Sequence, residues 1–303
     1  MQEDYLQTND TYKKKLRAYF DRLDVEWVPT KCWCGEILGL PAYGGANIDY
    51  GQLRIVECVK CKTHRQNPAP SEKSLFDFYQ NSEAMKTWSQ GKEGVEERIK
   101  LYFKYIPALT WLNINAGAGR HVLDIGGGNG LFGEWGRNFG FKTLNLELSP
   151  EAAAVSNKRN VPAIIMDAIL FKPTFKYEVV SMWGNLEHLS DPNLMLVKIK
   201  EELLDSQGFV AICVPNIGSH AALKGRESTY TYAPPHLWYF TPKTLDSFMA
   251  SHGFKKKFFY GLNYKSVCAC DAKKYLNVTY PINIKTETLP DHLCYEIISI
   301  YQN

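Results

Sequence analysis

Apolar positions change their period near residue 120. Upstream they recur at helical spacing. Tyr5, Leu6, Tyr12, Leu16, Tyr19, Phe20 and Leu23 form one stripe between about Asp4 and Asp24. Ile99, Tyr102, Phe103, Ile106 and Leu109 form another between Gly94 and about Leu112, where Pro107 is expected to kink or break the helix. Downstream, short apolar runs alternate with helical segments, as a parallel sheet demands. Strands are predicted at Val122–Ile125, Lys142–Glu147, Ala163–Met166, Tyr177–Met182 and Phe209–Val214, with two more at 254–260 and 295–300. Helices are predicted after Leu131, after Ser149-Pro150, from Asp191-Pro192 to about Asp205, and from Thr241-Pro242 to Gly253. Each of the last three opens on a capping side chain with proline at the first helical position.

The first strand runs into Asp124-Ile125-Gly126-Gly127-Gly128-Asn129-Gly130. Strand, glycine turn and helix together open a doubly wound sheet, whose ligands sit beyond the carboxyl ends of the strands. Glycines let the backbone turn sharply and lie close to a ligand. Gly128-x-Gly130-x-x-Gly133 also satisfies the dinucleotide fingerprint, with Glu147 near the distance of a ribose-binding acid, so a nicotinamide-dependent oxidoreductase stands as an alternative. Asp124 counts against it, because a carboxylate before the turn would face a pyrophosphate with like charge.

Between the two regions stand Cys32-Trp33-Cys34-Gly35 and Cys58-Val59-Lys60-Cys61, separated by a turn-rich stretch and an alternating run, Leu53–Val56. Two short-spaced cysteine pairs across a β-hairpin are what a tetrahedral four-thiolate zinc site requires. Four thiolates close the coordination sphere, which makes the zinc structural. The bland alternative is four free thiols that happen to lie close in sequence. Cys268 and Cys270 have no second pair nearby, Cys294 stands alone and Cys213 lies in a strand; these read as free thiols.

Composition adds mainly exclusions. The 303 residues are 45% hydrophobic and 22% charged, ordinary for a globular protein. A net charge of +3 is too small to imply nucleic acid, and no apolar run is long enough to span a membrane. The amino terminus lacks the form of a signal peptide, so a cytoplasmic protein without disulfides is expected.

Asp124, Gly126, Gly128 and Gly130 fit Asp-x-Gly-x-Gly-x-Gly, and the turn resembles motif I of the class I S-adenosylmethionine-dependent methyltransferases. The order of the second cysteine pair, Asn67-Pro68-Ala69-Pro70 and Phe78-Tyr79 resembles the zinc-ribbon methyltransferases of sugar, surface-glycan and secondary-metabolite pathways. Leu186-Glu187-His188-Leu189 after the fourth strand looks like the small-molecule methyltransferases. The resemblance implies a seven-stranded Rossmann-like α/β sheet with a reversed last strand. It implies S-adenosyl-L-methionine as cofactor, held by Asp124, Gly126, Gly128, Asn129 and Gly130 in the turn. Glu147 would accept the ribose hydroxyls. Asp167 would meet the adenine amino group while Met166 and Ala168 line the ring, and Leu148 and Trp183 would complete the cofactor site.

His188 and His236 are the candidate bases, each also readable as a structural histidine. His236 stands in the aromatic stretch Tyr230–Phe240, with Tyr239 beside it as a further catalytic candidate; Trp183, Trp238 and Tyr239 are rings able to stack on a sugar or to fill the core. The related sugar C-methyltransferases carry a Glu-His pair here. Pro235 replaces that Glu, which favours an oxygen or nitrogen acceptor over carbon. The expected organisation is an N-terminal helix (1–30), a zinc ribbon (31–66), a helical linker or lid (67–118) and a methyltransferase domain (119–303). The expected partner is a small molecule, possibly a nucleotide sugar, bound by a monomer or homodimer. An RNA-directed methyltransferase with the ribbon as binding module is a further alternative, disfavoured by the near-neutral charge.

Overall fold

The computed structural model describes residues 11–12, 14–44, 53–90, 95–117, 120–219, 222, 233–262 and 294–303. Its centre is a seven-stranded sheet: β6 (His121–Ile125), β7 (Lys142–Glu147), β8 (Ala163–Ile165), β9 (Tyr177–Trp183), β10 (Leu204–Pro215), β12 (Lys255–Leu262) and β13 (Glu296–Gln302). They lie in the order β8-β7-β6-β9-β10-β13-β12. The first five run parallel, and β13 is antiparallel to both of its neighbours. The strand order reverses between β6 and β9, the switch point at which such sheets bind ligands.

Alternate residues of each strand serve opposite faces. Leu123, Ile125, Val180, Met182, Val210, Ile212 and Val214 join a core with Leu245, Phe248 and Met249 of α8 (Pro242–Ser251). Val122, Val179, Ala211, Cys213, Ile298 and Ile300 join the other, against Leu101, Tyr105, Ile106, Leu109 and Leu112 of α4 (Val95–Ala116). Pro107 lies inside α4 and does not break it. Burial of the apolar stripe on both sides of the proline outweighs the lost backbone hydrogen bond.

The helix after the glycine turn is α5 (Leu131–Gly136), and the caps predicted for the later helices are present. The Ser149 hydroxyl accepts from Ala152 N–H at the head of α6 (Pro150–Lys158), and Asp191 accepts from Leu194 N–H at the head of α7 (Pro192–Lys198). Thr241 and Thr244 form a capping box on α8. After α7 the chain makes a wide turn over Ile199–Leu203 and enters β10 at Leu204, sooner than the helix to Asp205 that the pattern suggests.

A second sheet has the order β11-β4-β3-β2, with β2 (Gly39–Gly44), β3 (Arg54–Cys58) and β4 (His64–Gln66) from the cysteine region. Its fourth strand, β11 (Trp238–Tyr239), comes from the far end of the chain and pairs with Arg65 and His64. Short strands β1 (Trp27–Val28) and β5 (Ala69–Pro70) pair separately. Helices α1 (residues 14–20), α2 (Glu72–Asn81) and α3 (Glu83–Gln90) lie between these parts, and Leu16, Tyr19 and Phe20 share a core with Phe78 and Tyr239. No helix among the described residues is long and apolar enough to cross a membrane. Cys268, Cys270, Tyr230 and the start of the N-terminal stripe lie outside the described residues.

Candidate active site and cysteine cluster

The glycine turn is held by the strand beside it. Gly126 N–H donates to the Leu146 carbonyl at 2.7 Å, and Gly127 N–H to Asn145 Oδ1 at 3.0 Å. Gly128 N–H donates to Glu147 Oε2 at 2.8 Å. Asn145 Nδ2 in turn reaches the Gly128 carbonyl at 2.9 Å. Gly126 and Gly130 have φ of +66° and +76°. A Cβ on Gly126 would meet Asn185 Nδ2 at 2.1 Å, and one on Gly130 would meet Ser156 Oγ at 2.4 Å. Both positions therefore require glycine on conformation and on space.

Asp124 lies beneath this turn, 1% exposed, and its Oδ1 accepts from the Ser181 hydroxyl at 2.6 Å. Burial pushes its carboxyl up to about 7; the Ser181 hydrogen bond works against that rise and the Glu147 charge adds to it. Glu147 Oε1 also accepts from Ser149 N–H at 2.9 Å. Two backbone amides thus aim the Glu147 carboxylate. Asn129 is 4% exposed, and its Nδ2 has no hydrogen-bond partner among the described residues.

A cavity of about 550 Å³ opens beyond the ends of β6, β7 and β8. Gly126, Glu147, Leu148, Asp167 and Ala168 line it at the strand ends. Tyr12, Phe76, Tyr79, Asn185 and His188 line it as well, so the N-terminal helices contribute to its wall. Asp124, Gly128, Asn129 and Gly130, also expected at the cofactor, belong to the turn but do not line the cavity. Trp183 is 8% exposed and packs on Tyr105 and Phe132 at centroid distances of 4.9 and 4.8 Å, a core position away from the cavity lining.

His188 Nδ1 lies 2.8 Å from the Pro235 carbonyl and 3.0 Å from the Tyr79 hydroxyl. A carbonyl only accepts, so Nδ1 carries the proton and Nε2 of the neutral ring holds the lone pair. The ring of His236 stands edge-on to that of His188, 4.5 Å between centroids. His236 is 1% exposed and Tyr239 2%; neither lines the cavity, and Tyr239 belongs to the core beneath β11. Glu187 is 1% exposed, and burial pushes its carboxyl up to about 8.

Residues without a role in the sequence reading appear here. Tyr79 joins the candidate base across 109 positions of chain, a pairing no local pattern reveals. Asn145 was visible in principle, as a polar residue inside the apolar run Leu144-Asn145-Leu146.

The four cysteines of the two pairs also converge. One sulfur from each of Cys32, Cys34, Cys58 and Cys61 lies within 4.8 Å of the others, with Cys32–Cys61 at 3.4 Å and Cys34–Cys58 at 3.6 Å. Those spacings exceed a disulfide bond and approach the ~3.8 Å edge of a tetrahedron with Zn–S bonds of about 2.3 Å. Each pair sits on a tight turn: Gly35 N–H donates to the Cys32 carbonyl at 2.9 Å, and Lys62 N–H to the Cys58 carbonyl at 3.1 Å.

With this geometry in view, the comparisons are specific about the fold. The profile of a methyltransferase-domain family matches residues 95–256, more than half of the chain. The chain belongs to this family. The fold is that of the class I S-adenosylmethionine-dependent methyltransferases. The plantazolicin methyltransferase BpumL, in complex with S-adenosylhomocysteine, is 15% identical with a TM-score of 0.54, over 76% of this chain and 94% of that one. The magnesium protoporphyrin IX methyltransferase ChlM from Synechocystis PCC 6803, with bound S-adenosylmethionine, is 14% identical with a TM-score of 0.52, over 78% and 99%. The 1,6-didemethyltoxoflavin-N1-methyltransferase from Burkholderia thailandensis is 15% identical with a TM-score of 0.51, over 87% and 99%. No curated protein matches the chain. At these identities the likeness establishes a methyltransferase fold and leaves the acceptor of this methyltransferase to its own residues.

Proposed function

We propose that this methyltransferase transfers the methyl group of S-adenosylmethionine to an oxygen or nitrogen of a small polar metabolite, with a nucleotide-linked sugar as the leading candidate. The observation that carries the reading is one cavity lined by both groups of residues. Glu147, Leu148, Asp167 and Ala168 suit an adenosine, and Tyr79 and His188 line the same cavity. Glu147 would take the ribose hydroxyls and Asp167 the adenine amino group. The glycine turn leaves room for the amino-acid end of the cofactor. When bound, the cofactor supplies an electrophilic methyl on a sulfonium. The protein's part is to hold the acceptor in line and to receive its proton. His188, with Nδ1–H fixed by Pro235, offers Nε2 as base, and His236 packs against its ring.

The four-cysteine cluster fits a structural zinc in thiolate number and spacing. In this reading the metal ties together the turns that frame β2 to β4.

Isothermal titration should show S-adenosylhomocysteine binding and no NADH binding; the reverse result would restore the oxidoreductase alternative. Incubation with S-adenosylmethionine and a panel of nucleotide sugars, read by mass spectrometry, should yield a methylated product. A panel without one, beside intact cofactor binding, moves the acceptor to another class of metabolite.

A further inference from the structure

Glu187 is a buried carboxyl that the methyl-transfer reading leaves unused. It is 1% exposed, and neither carboxylate oxygen has a hydrogen-bond partner among the described residues. A carboxyl buried without partners either keeps its proton, as burial favours here, or ionises because it is paired, hydrogen-bonded or bound to a metal that displaces the proton. The nearby Lys104 ammonium is already engaged, 3.1 Å from Glu296. What faces Glu187 instead is a pair of imidazoles. One carboxylate oxygen of Glu187 and one ring nitrogen each of His188 and His236 lie within 4.8 Å of one another.

We infer that Glu187, His188 and His236 form a second metal site, separate from the cysteines, that takes a divalent first-row transition metal ion. Two imidazoles and one carboxylate are the donor set of sites for zinc and for ferrous iron that keep a position open for another ligand. The Cys32–Cys61 cluster is soft and fourfold, so the two sites differ in chemistry. Backbone contacts hold the three ligands in place. Leu237 N–H donates to the Glu187 carbonyl at 2.7 Å, which ties the segment of His236 to that of Glu187. The Pro235 carbonyl receives the Nδ1 proton of His188, the kind of contact that orients a ligating histidine.

The consequence deepens the proposed function and rests on it. His188 stands at the cavity wall, so the ion would sit at the boundary between the buried triad and the acceptor. With the ion bound, Nε2 of His188 is engaged by the metal and no longer acts as the base; an acceptor hydroxyl bound to the ion would release its proton to water instead. Its oxygen would then form the new O–C bond as the C–S bond breaks and that electron pair returns to sulfur. Such an ion favours an oxygen acceptor over nitrogen.

The test is metal content by equilibrium dialysis against zinc chloride. The full-length wild-type protein should bind one zinc more per chain than its Glu187→Gln and His236→Gln variants, about two against about one if the cysteine cluster is filled. Circular dichroism and S-adenosylhomocysteine titration on the same samples report folding and cofactor binding. Folded variants with one zinc fewer support the site; equal zinc in all three proteins overturns it. Should the variants not fold, zinc-edge X-ray absorption of the wild type decides. Nitrogen or oxygen neighbours at about 2.0–2.1 Å beside sulfur at about 2.3 Å support the site, and sulfur alone overturns it. A wild type that takes the second zinc but does not bind S-adenosylhomocysteine would remove the cofactor reading and leave the metal site standing.

Discussion

Asp124 offers the sharpest link between burial and a measurable pH dependence. Its carboxyl is fully enclosed and is displaced from an ordinary 3.8 to about 7, chiefly by loss of solvent. In the unfolded chain Asp124 is ionised above about pH 4, whereas the folded protein holds the proton until about pH 7. Between those limits the folded state binds more protons, so its stability falls as pH rises. The contribution is fully present below pH 4 and is lost on passing through about 7. Three pH units at about 1.4 kcal/mol each place the whole effect on the order of 4 kcal/mol. Asp124→Asn keeps the shape and the acceptor for the Ser181 hydroxyl but cannot ionise. Urea unfolding of cofactor-free wild type and variant at stepped pH values gives the comparison. The stability of the variant relative to wild type should climb by roughly 1 kcal/mol per unit from pH 5 to 7 and then level off. Glu187, raised to about 8, slopes the same way in both proteins and cancels in the difference. A difference that stays constant across this range would refute the reasoning and place Asp124 in contact with water.

Glu147→Ala removes the acceptor that aims Gly128 and Ser149 N–H as well as the proposed ribose ligand, and should weaken S-adenosylhomocysteine binding by about 1–3 kcal/mol in calorimetry; unchanged affinity puts the ribose elsewhere. Cys58→Ser should lose the ribbon zinc by metal analysis, and full retention of that zinc would remove the four-thiolate site.

The sheet was legible in the sequence because both of its faces are covered, so its strands are short apolar runs set off by caps. Ser149, Asp191 and Thr241 marked helix starts because a side-chain oxygen there satisfies an orphan amide, a strictly local interaction. Pro107 misled because its local cost is real but smaller than the packing of α4 around it. The site was legible in part. The glycine turn and Glu147 announce themselves by residue type and order. Tyr79 beside His188, the proton on Asp124 and the partnerless oxygens of Glu187 do not, since each depends on what lies across the fold.

The least legible feature concerns the cysteine region itself. Its spacing suggests a self-contained knuckle pair, yet its sheet is completed by Trp238 and Tyr239, close behind His236. Gln66 N–H donates to the Leu237 carbonyl at 2.8 Å, and Leu237 N–H to the Glu187 carbonyl at 2.7 Å. One backbone thus connects ribbon strand, aromatic segment and the turn after β9. The Trp33 ring, beside Cys32 and Cys34, packs on Phe248 of α8 at 5.2 Å, and Asn193 Nδ2 of α7 donates to the Trp33 carbonyl at 2.8 Å. The cysteine turns are therefore anchored to the helices that cover the main sheet, while β4 fixes the position of the segment carrying His236. Built this way, the cysteine region is less a separate module than a strut: two backbone hydrogen bonds join β4 to Leu237 and Leu237 to the turn that carries Glu187 and His188.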